Sequence, residues 1–211
     1  VREEVGCEPP LMVMLVASVI VYDRVNRRVV LLRRGENKTF APGMWSLPSG
    51  KAAPGEPITH TAVRELREET GLVVAPQALR LTHVTHSTHS PEAPEGFVVL
   101  VFAAEEWGGE PVNAEPGKHS AVAWVDTDDL PTDFVPSTLH ALERYLASKR
   151  PEVAIDGWDG AQGRPLAGSH DPAGPPAPRA PFQTRPAGPD GVSAASRVYV
   201  PARSERPDPA A

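Results

Sequence analysis

The chain reads as one α/β domain followed by a tail, on three observations. Two runs rich in β-branched residues, 14–22 and 28–32, flank the turn-like Asp23-Arg24-Val25-Asn26 and predict paired strands, together a hairpin. Residues 57–70 carry apolar side chains at helical spacing. From Pro151 onward no period of 2 or 3.6 survives, and Pro and Gly supply 19 of the last 61 residues. The expected organisation is therefore a flexible N-terminal extension over 1–11, a folded domain over 12–150 and a Pro/Gly/Ala-rich disordered tail over 151–211. Within that tail the patch Ser196-Arg-Val-Tyr-Val-Pro201 reads as a short strand or docking motif, or as a chance apolar patch. The chain begins with Val, and Met12 or Met14 is a candidate start.

Taken in order, residues 36–43 read as a loop, and Trp45-Ser-Leu-Pro48 delivers the chain to Gly50. Pro54-Gly55 reads as a turn. Pro57 suits the first helical position, where a missing N–H costs nothing, and Gly71 suits a left-handed helix end. On a wheel of about 100° per residue, Ile58, Ala62, Val63 and Leu66 span one apolar sector of roughly 140°. Glu65, Glu68 and Glu69 span an arc of about 100° on the same wheel, and Glu69 falls inside the apolar sector. Like charges on a half-buried face repel unless something cationic sits among them, and a divalent metal is the natural remedy. Residues 78–89 and 96–103 then read as strands. His83, His86 and His89 are spaced by three, which alternates faces on a strand, so they cannot converge on one metal. A strand over 121–125 follows, and residues 136–148 carry Leu139, Leu142 and Leu146 at helical spacing, a terminal helix packed on the sheet.

The segment from Gly50 to Leu72 holds Gly50, Glu56, Arg64, Glu65, Leu66, Glu68, Glu69, Gly71 and Leu72 at fixed spacing. It resembles the Nudix box, G-x5-E-x7-R-E-U-x-E-E-x-G-U, at every position, and weaker likeness extends from about Met14 to Leu146. The chain is thereby identified as similar to MutT-like Nudix hydrolases. The resemblance implies an α/β/α sandwich, a mixed sheet with the box helix on one face and the C-terminal helix on the other. It also implies metal-assisted hydrolysis of a phosphoanhydride, with Mg²⁺ as cofactor and Mn²⁺ as a substitute. Oxygen ligands without a nearby Cys agree with those ions rather than zinc.

By the same resemblance, Glu68 and Glu69 hold the metal with the Gly50 carbonyl, Glu65 is a ligand or base, and Arg64 orients Glu65 and pairs with Glu56. Glu65, Arg64 and Glu68 are the catalytic candidates, and Glu56 and Gly71 are structural. The family shows Pro-Gly-Gly before the box, where this chain has Pro48-Ser49-Gly50. Glu115, in the loop before the last main strand, is the candidate for one more carboxylate on the metal. Arg33 and Arg34, at the end of the second strand, are candidates for the substrate phosphates. Trp45, or Phe40, is the candidate for stacking on a base.

Composition bounds the partners. The first 150 residues carry 15 Lys and Arg against 20 Asp and Glu, and the whole chain has a net charge of −6. That argues against stable nucleic-acid binding but not against a small nucleotide held through metal and local arginines. With one cysteine, Cys7, no intramolecular disulfide or thiolate zinc cluster can form. No apolar run reaches the ~20 residues that span a bilayer, so a cytoplasmic protein without membrane contact is expected. A homodimer is left open.

Substrate is approached by elimination. The S-Q-P-W-P-F-P motif of NADH-type members is missing. ADP-ribose-type members carry a proline where this chain has Ser87 and Thr88, with Pro91 the nearest. No tyrosine of the diadenosine type occurs between Leu72 and Trp124. What remains is a (deoxy)nucleoside triphosphate cleaved to monophosphate and pyrophosphate. ADP-ribose or another nucleotide sugar is the alternative, and a non-catalytic nucleotide-sensing module is a further one, though sensing does not demand four glutamates. Isopentenyl diphosphate isomerase shares the fold but uses a core cysteine, and Cys7 precedes the first strand.

Overall fold

The computed structural model describes residues 13–90, 92–148 and 150–157. Its elements are β1 (Met14–Asp23), β2 (Arg28–Arg34), β3 (Trp45–Ser46), β4 (Ser49–Lys51), α1 (Ile58–Thr70), β5 (Arg80–Ser87), β6 (Phe97–Ala104), β7 (His119–Asp126), α2 (Pro136–Ser148) and β8 (Glu152–Asp156). A single 3₁₀ turn, Pro76–Ala78, precedes β5. No helix among the described residues is long and apolar enough to cross a membrane.

The sheet is mixed. β1 runs parallel to β6 over eight registered pairs, from Met14 opposite Phe97 to Val21 opposite Ala104. β5 lies antiparallel to β6 on its far side. The hairpin expected of β1 and β2 is confined to its tip, where only Tyr22 with Val29 and Asp23 with Arg28 are in register. Past the tip the two strands part: β1 takes β6 and β4 as neighbours, while β2 takes β7 and β3. The Asp23 carboxylate closes the turn by accepting from the backbone N–H groups of Val25 and Asn26, both at 3.1 Å.

Alternation along the central strands loads both faces, as the period of 2 requires. Ala17, Val19 and Val21 of β1, Val30 of β2 and Phe102 of β6 pack with Ala62 and Leu66 of α1. Ile20, Val29, Leu31 and Val101 pack on the other side with Leu139, Leu142 and Tyr145 of α2. The result is the expected α/β/α sandwich. The phenol of Tyr145, buried in that second layer, donates to Glu105 Oε1 at 2.6 Å.

Two boundaries differ from the sequence reading. Pro57 is the N-cap, in extended conformation, and the helix starts at Ile58. The domain does not end at Arg150: β8 adds a parallel strand to β5, with five pairs from His83–Glu152 to Ser87–Asp156. Its alternation is weak because only one flank is covered, and Val153 and Ile155 stand 70% and 58% exposed. Glu152 also pairs with Arg144 of α2, which ties the strand to the helix behind it. The patch Ser196–Pro201 lies outside the described residues, as do residues 1–12.

A chain ended at Arg150 should therefore melt below one ended at Gly157. Losing this ladder and the Arg144 pair is worth about 2 kcal/mol, or about 4–8 °C in a domain of this size. Equal melting curves for the two truncations would show that β8 adds nothing to the fold.

Candidate active site

The site forms where α1 passes under β4. Gly71, at φ 73°, ends the helix in the left-handed conformation and donates its N–H to Arg67 O at 2.9 Å. The loop after β6 is then tied to the helix end, Val112 N–H bonding Thr70 O and Ala114 N–H bonding Glu69 O. One α-turn in that loop, His119 N–H to Glu115 O at 3.0 Å, stacks Glu115 and His119 side by side. Three segments far apart in sequence thus meet at Glu69.

Arg64 organises one half of the site. Its Nε and Nη2 hold the two oxygens of Glu56 at 2.8 and 2.9 Å. Its Nη1 reaches Glu65 Oε1 at 2.7 Å and Glu68 Oε2 at 3.1 Å. The Arg64 hydrogen bonds, with those from Ala53 N–H and the Thr61 hydroxyl, hold the Glu56 carboxyl down at about 2. The same Glu56 bonds keep the guanidinium charged. One cation thus serves three carboxylates, and the bidentate pair with Glu56 fixes its plane.

Gly50 faces this cluster closely. A Cβ built there would lie 1.9 Å from Glu65 Cδ and 2.3 Å from both its carboxylate oxygens. Only a bare backbone lets β4 approach the Glu65 carboxylate this nearly.

Glu69 commands the other half. It is buried, its Oε2 accepts from Ser49 N–H at 2.9 Å, and its Oε1 lies 3.1 Å from His119 Nε2. Burial pushes its carboxyl up, against the opposing pull of His119 and Ser49. Glu115 joins from the loop, its Oε1 paired with Lys118 Nζ at 2.6 Å and its Oε2 4.0 Å from His119 Nε2. Among the described residues, Glu69, Glu115 and His119 bring donor atoms within 4.8 Å of one another. The set fits a hard divalent cation: its donors are mainly carboxylate oxygens, and the buried Glu115 Oε2 has no hydrogen-bond partner.

A cleft of about 440 Å³ opens onto these groups; Gly50, Glu65, Glu69 and His119 line it, as do Arg34, Lys38, Phe40, Lys51, Glu92 and Lys118. The Arg34 guanidinium lies over the Phe40 ring, 5.3 Å from its centroid, and donates to Phe40 O.

The family model for the NUDIX domain matches residues 12–145. The chain belongs to the Nudix family. It is 31% identical over 139 residues to the NAD-capped RNA hydrolase NudC of Stutzerimonas stutzeri, covering 61% of this chain and 48% of that protein. It is 34% identical over 122 residues to a MutT-like protein of Streptomyces ambofaciens, covering 58% of this chain and 69% of that one. The chain spans about half the length of the NAD-capped RNA hydrolases it matches. Among solved structures, a MutT NUDIX hydrolase from Burkholderia pseudomallei is similar at 30% identity and a TM-score of 0.55, covering 63% of this chain and 98% of that one.

The Nudix box residues named from the sequence come together as a unit: Glu56, Arg64, Glu65 and Glu68 in one hydrogen-bonded group, Gly50 above Glu65, and Glu69 on the buried side. Glu115 joins them across the loop. Two substrate candidates do not. Arg33 turns away, donating to Gly43 O at 2.8 Å and pairing with Asp133, and Trp45 packs against the α2 layer of the core. Neighbours on a strand face opposite ways, so only one of Arg33 and Arg34 could look into the cleft. His119 is the residue that the sequence reading passed over. The Glu115-x3-His119 spacing was its only local signal. His83 is fully buried against His140, ring centroids 5.5 Å apart, and takes no part in the site.

Proposed function

We propose that this Nudix protein is a Mg²⁺-dependent hydrolase of a phosphoanhydride bond in a nucleoside diphosphate derivative, with Mn²⁺ as a substitute. The observation that carries the reading is one cleft lined by the Arg64-held Glu65 together with Glu69 and His119, with Glu115 beside them. Gly50, Glu65, Glu68, Glu69 and Glu115 would hold the cation, which when bound supplies charge neutralisation at the phosphoryl oxygens and a more acidic water. Arg64 orients Glu65 through Nη1. Water adds to one phosphorus, the bridging P–O bond breaks, and a carboxylate of the group takes the water's proton. Arg34, Lys38 and Lys51 supply the positive charge that meets the remaining phosphates, and Phe40 offers a ring for the base.

The substrate we favour is a (deoxy)nucleoside triphosphate, released as monophosphate and pyrophosphate. The cleft supports this through four lining cations, Arg34, Lys38, Lys51 and Lys118, of which Lys51 also pairs with Glu92 and Lys118 with Glu115. A second reading, cleavage of a dinucleotide or nucleotide-sugar diphosphate such as ADP-ribose, draws support from the NAD-capped RNA hydrolases among the relatives. A separate relative, from Homo sapiens, is named as an 8-oxo-dGDP phosphatase, at 30% identity over 142 residues. A cytoplasmic setting is part of the proposal.

Triphosphates, ADP-ribose and NADH assayed side by side at one Mg²⁺ concentration separate the readings. The expected outcome is a kcat/KM for at least one triphosphate about tenfold above the others, a difference of about 1.4 kcal/mol in transition-state binding. An ADP-ribose value about tenfold above every triphosphate would replace the first reading by the second. Turnover of none, with or without metal, would leave a sensing module.

A further inference from the structure

Glu69 is held from two sides. Ser49 N–H donates to Oε2 at 2.9 Å, and His119 Nε2 stands 3.1 Å from Oε1. His119 is itself buried, 3% exposed at its side chain, and its backbone is fixed at both ends. His119 N–H bonds Glu115 O, and Asn113 Nδ2 donates to His119 O at 2.8 Å. Ala114 N–H to Glu69 O joins this loop to α1 beside the same glutamate. The imidazole is therefore not a side chain that happens to lie near the carboxylate; the loop that carries it is built onto the helix that carries Glu69. Among the described residues its Nδ1 has no hydrogen-bond partner, so the bond through Nε2 is the polar contact that accounts for burying this ring there.

A carboxylate that binds a cation does so best when it is already aimed before the cation arrives. In this site the buried Glu69 and the half-buried Glu115 stand close together; Lys118 holds one oxygen of Glu115, and Glu69 is free to turn unless something fixes it. The Ser49 N–H fixes one oxygen of Glu69. The second is fixed by Nε2.

We propose that His119 is a positioning residue for Glu69, orienting its carboxylate through Nε2–H and thereby setting the affinity of the site for a divalent cation. The inference rests on the metal-dependent reading above. It goes beyond it in assigning a role to a residue outside the Nudix box. Partners of this kind, which hydrogen-bond a metal-ligating group without touching the metal, are worth about 10–100-fold in metal affinity.

Mn²⁺ affinity without nucleotide, read by EPR as loss of the free-ion signal, tests this directly. His119→Ala removes the donor, and His119→Phe removes it while filling the buried space. Both should bind Mn²⁺ about 10–100-fold more weakly than the wild type. His119→Gln retains an N–H donor and should recover affinity to within about threefold. Melting curves of the metal-free proteins accompany the titration. A packing role would leave Gln no better than Phe, whereas an orienting hydrogen bond makes Gln the better of the two at equal melting temperature. Mn²⁺ binding by both donor-less variants within twofold of the wild type would overturn the inference and leave the metal reading intact. So would equal weakening of all three, which assigns His119 a packing role if the melting temperatures fall together and assigns the imidazole nitrogen to the metal itself if they do not. No Mn²⁺ binding by the wild type would overturn the metal reading and this inference with it.

Discussion

Replacing Glu69 by Gln should lower kcat by at least about 100-fold and leave the protein folded. The side chain is buried, so an isosteric amide fills the same space and still accepts from Ser49 N–H. What it removes is a charge that burial already penalises. In the metal-free protein the substitution should therefore cost little stability or raise it, because Glu65 loses a like-charged neighbour. In the working enzyme the same change removes a hard anionic donor from the proposed cation site, and no other residue in the group can replace it at that depth. The measurement is kcat at saturating Mg²⁺ together with a melting curve of the metal-free protein. A variant that kept more than about a tenth of wild-type turnover, less than ~1.4 kcal/mol of barrier, would remove Glu69 from the mechanism. A collapsed melting temperature would assign it a structural task instead.

Gly50→Ala should be nearly as damaging to turnover, for a different reason. The new Cβ would sit 1.9 Å from Glu65 Cδ, so the carboxylate must swing away. That atom is the far end of a flexible side chain, and the backbone of β4 need not move, so the fold should survive with a melting temperature within a few degrees of the wild type. The displaced carboxylate leaves its 2.7 Å contact with Arg64 Nη1 and the position beneath the cleft. We expect a loss of about 100-fold in kcat, the scale at which a misplacement of about 1 Å acts on a positioned group. Retention of a third or more of wild-type activity would show that the close approach of strand and carboxylate is dispensable. Comparison with Glu65→Gln separates the two causes: if Glu65 is the group through which Gly50 acts, the double variant should be no worse than the poorer single one.

The helix of the box was legible because helical geometry is local. The resemblance to the Nudix box paired Glu56 with Arg64, while spacing set Glu69 inside the apolar sector where it is found buried and put Gly71 at the left-handed end. Alternating β-branched runs likewise gave the central strands, and leucines at helical spacing gave α2, within a residue or two. The ladder partners were not legible, since a strand's own pattern says which face is buried and nothing of which neighbour it pairs with. The hairpin of β1 and β2 opens after two pairs because β1 finds β6, eighty residues on, in parallel register.

Tertiary structure decided what depends on approach between distant segments. Strand β8 hides in a Pro/Gly-rich region because an edge strand half open to water needs no strong alternation, and its support comes from β5 and Arg144 rather than from its own sequence. Arg33 and Trp45 left the cleft and Arg34 remained, because the pleat sends successive side chains to opposite faces and only packing says which face meets the site. His119 became visible only when one α-turn of the 113–119 loop was hydrogen-bonded to the end of α1 and carried its ring to Glu69. By itself, then, the sequence determined the glutamates and their arginine, whose spacing is fixed within one helix. The depth of Glu69, the closeness of Gly50 and the partnership with His119 required the sheet to bring β4 and the loop against that helix.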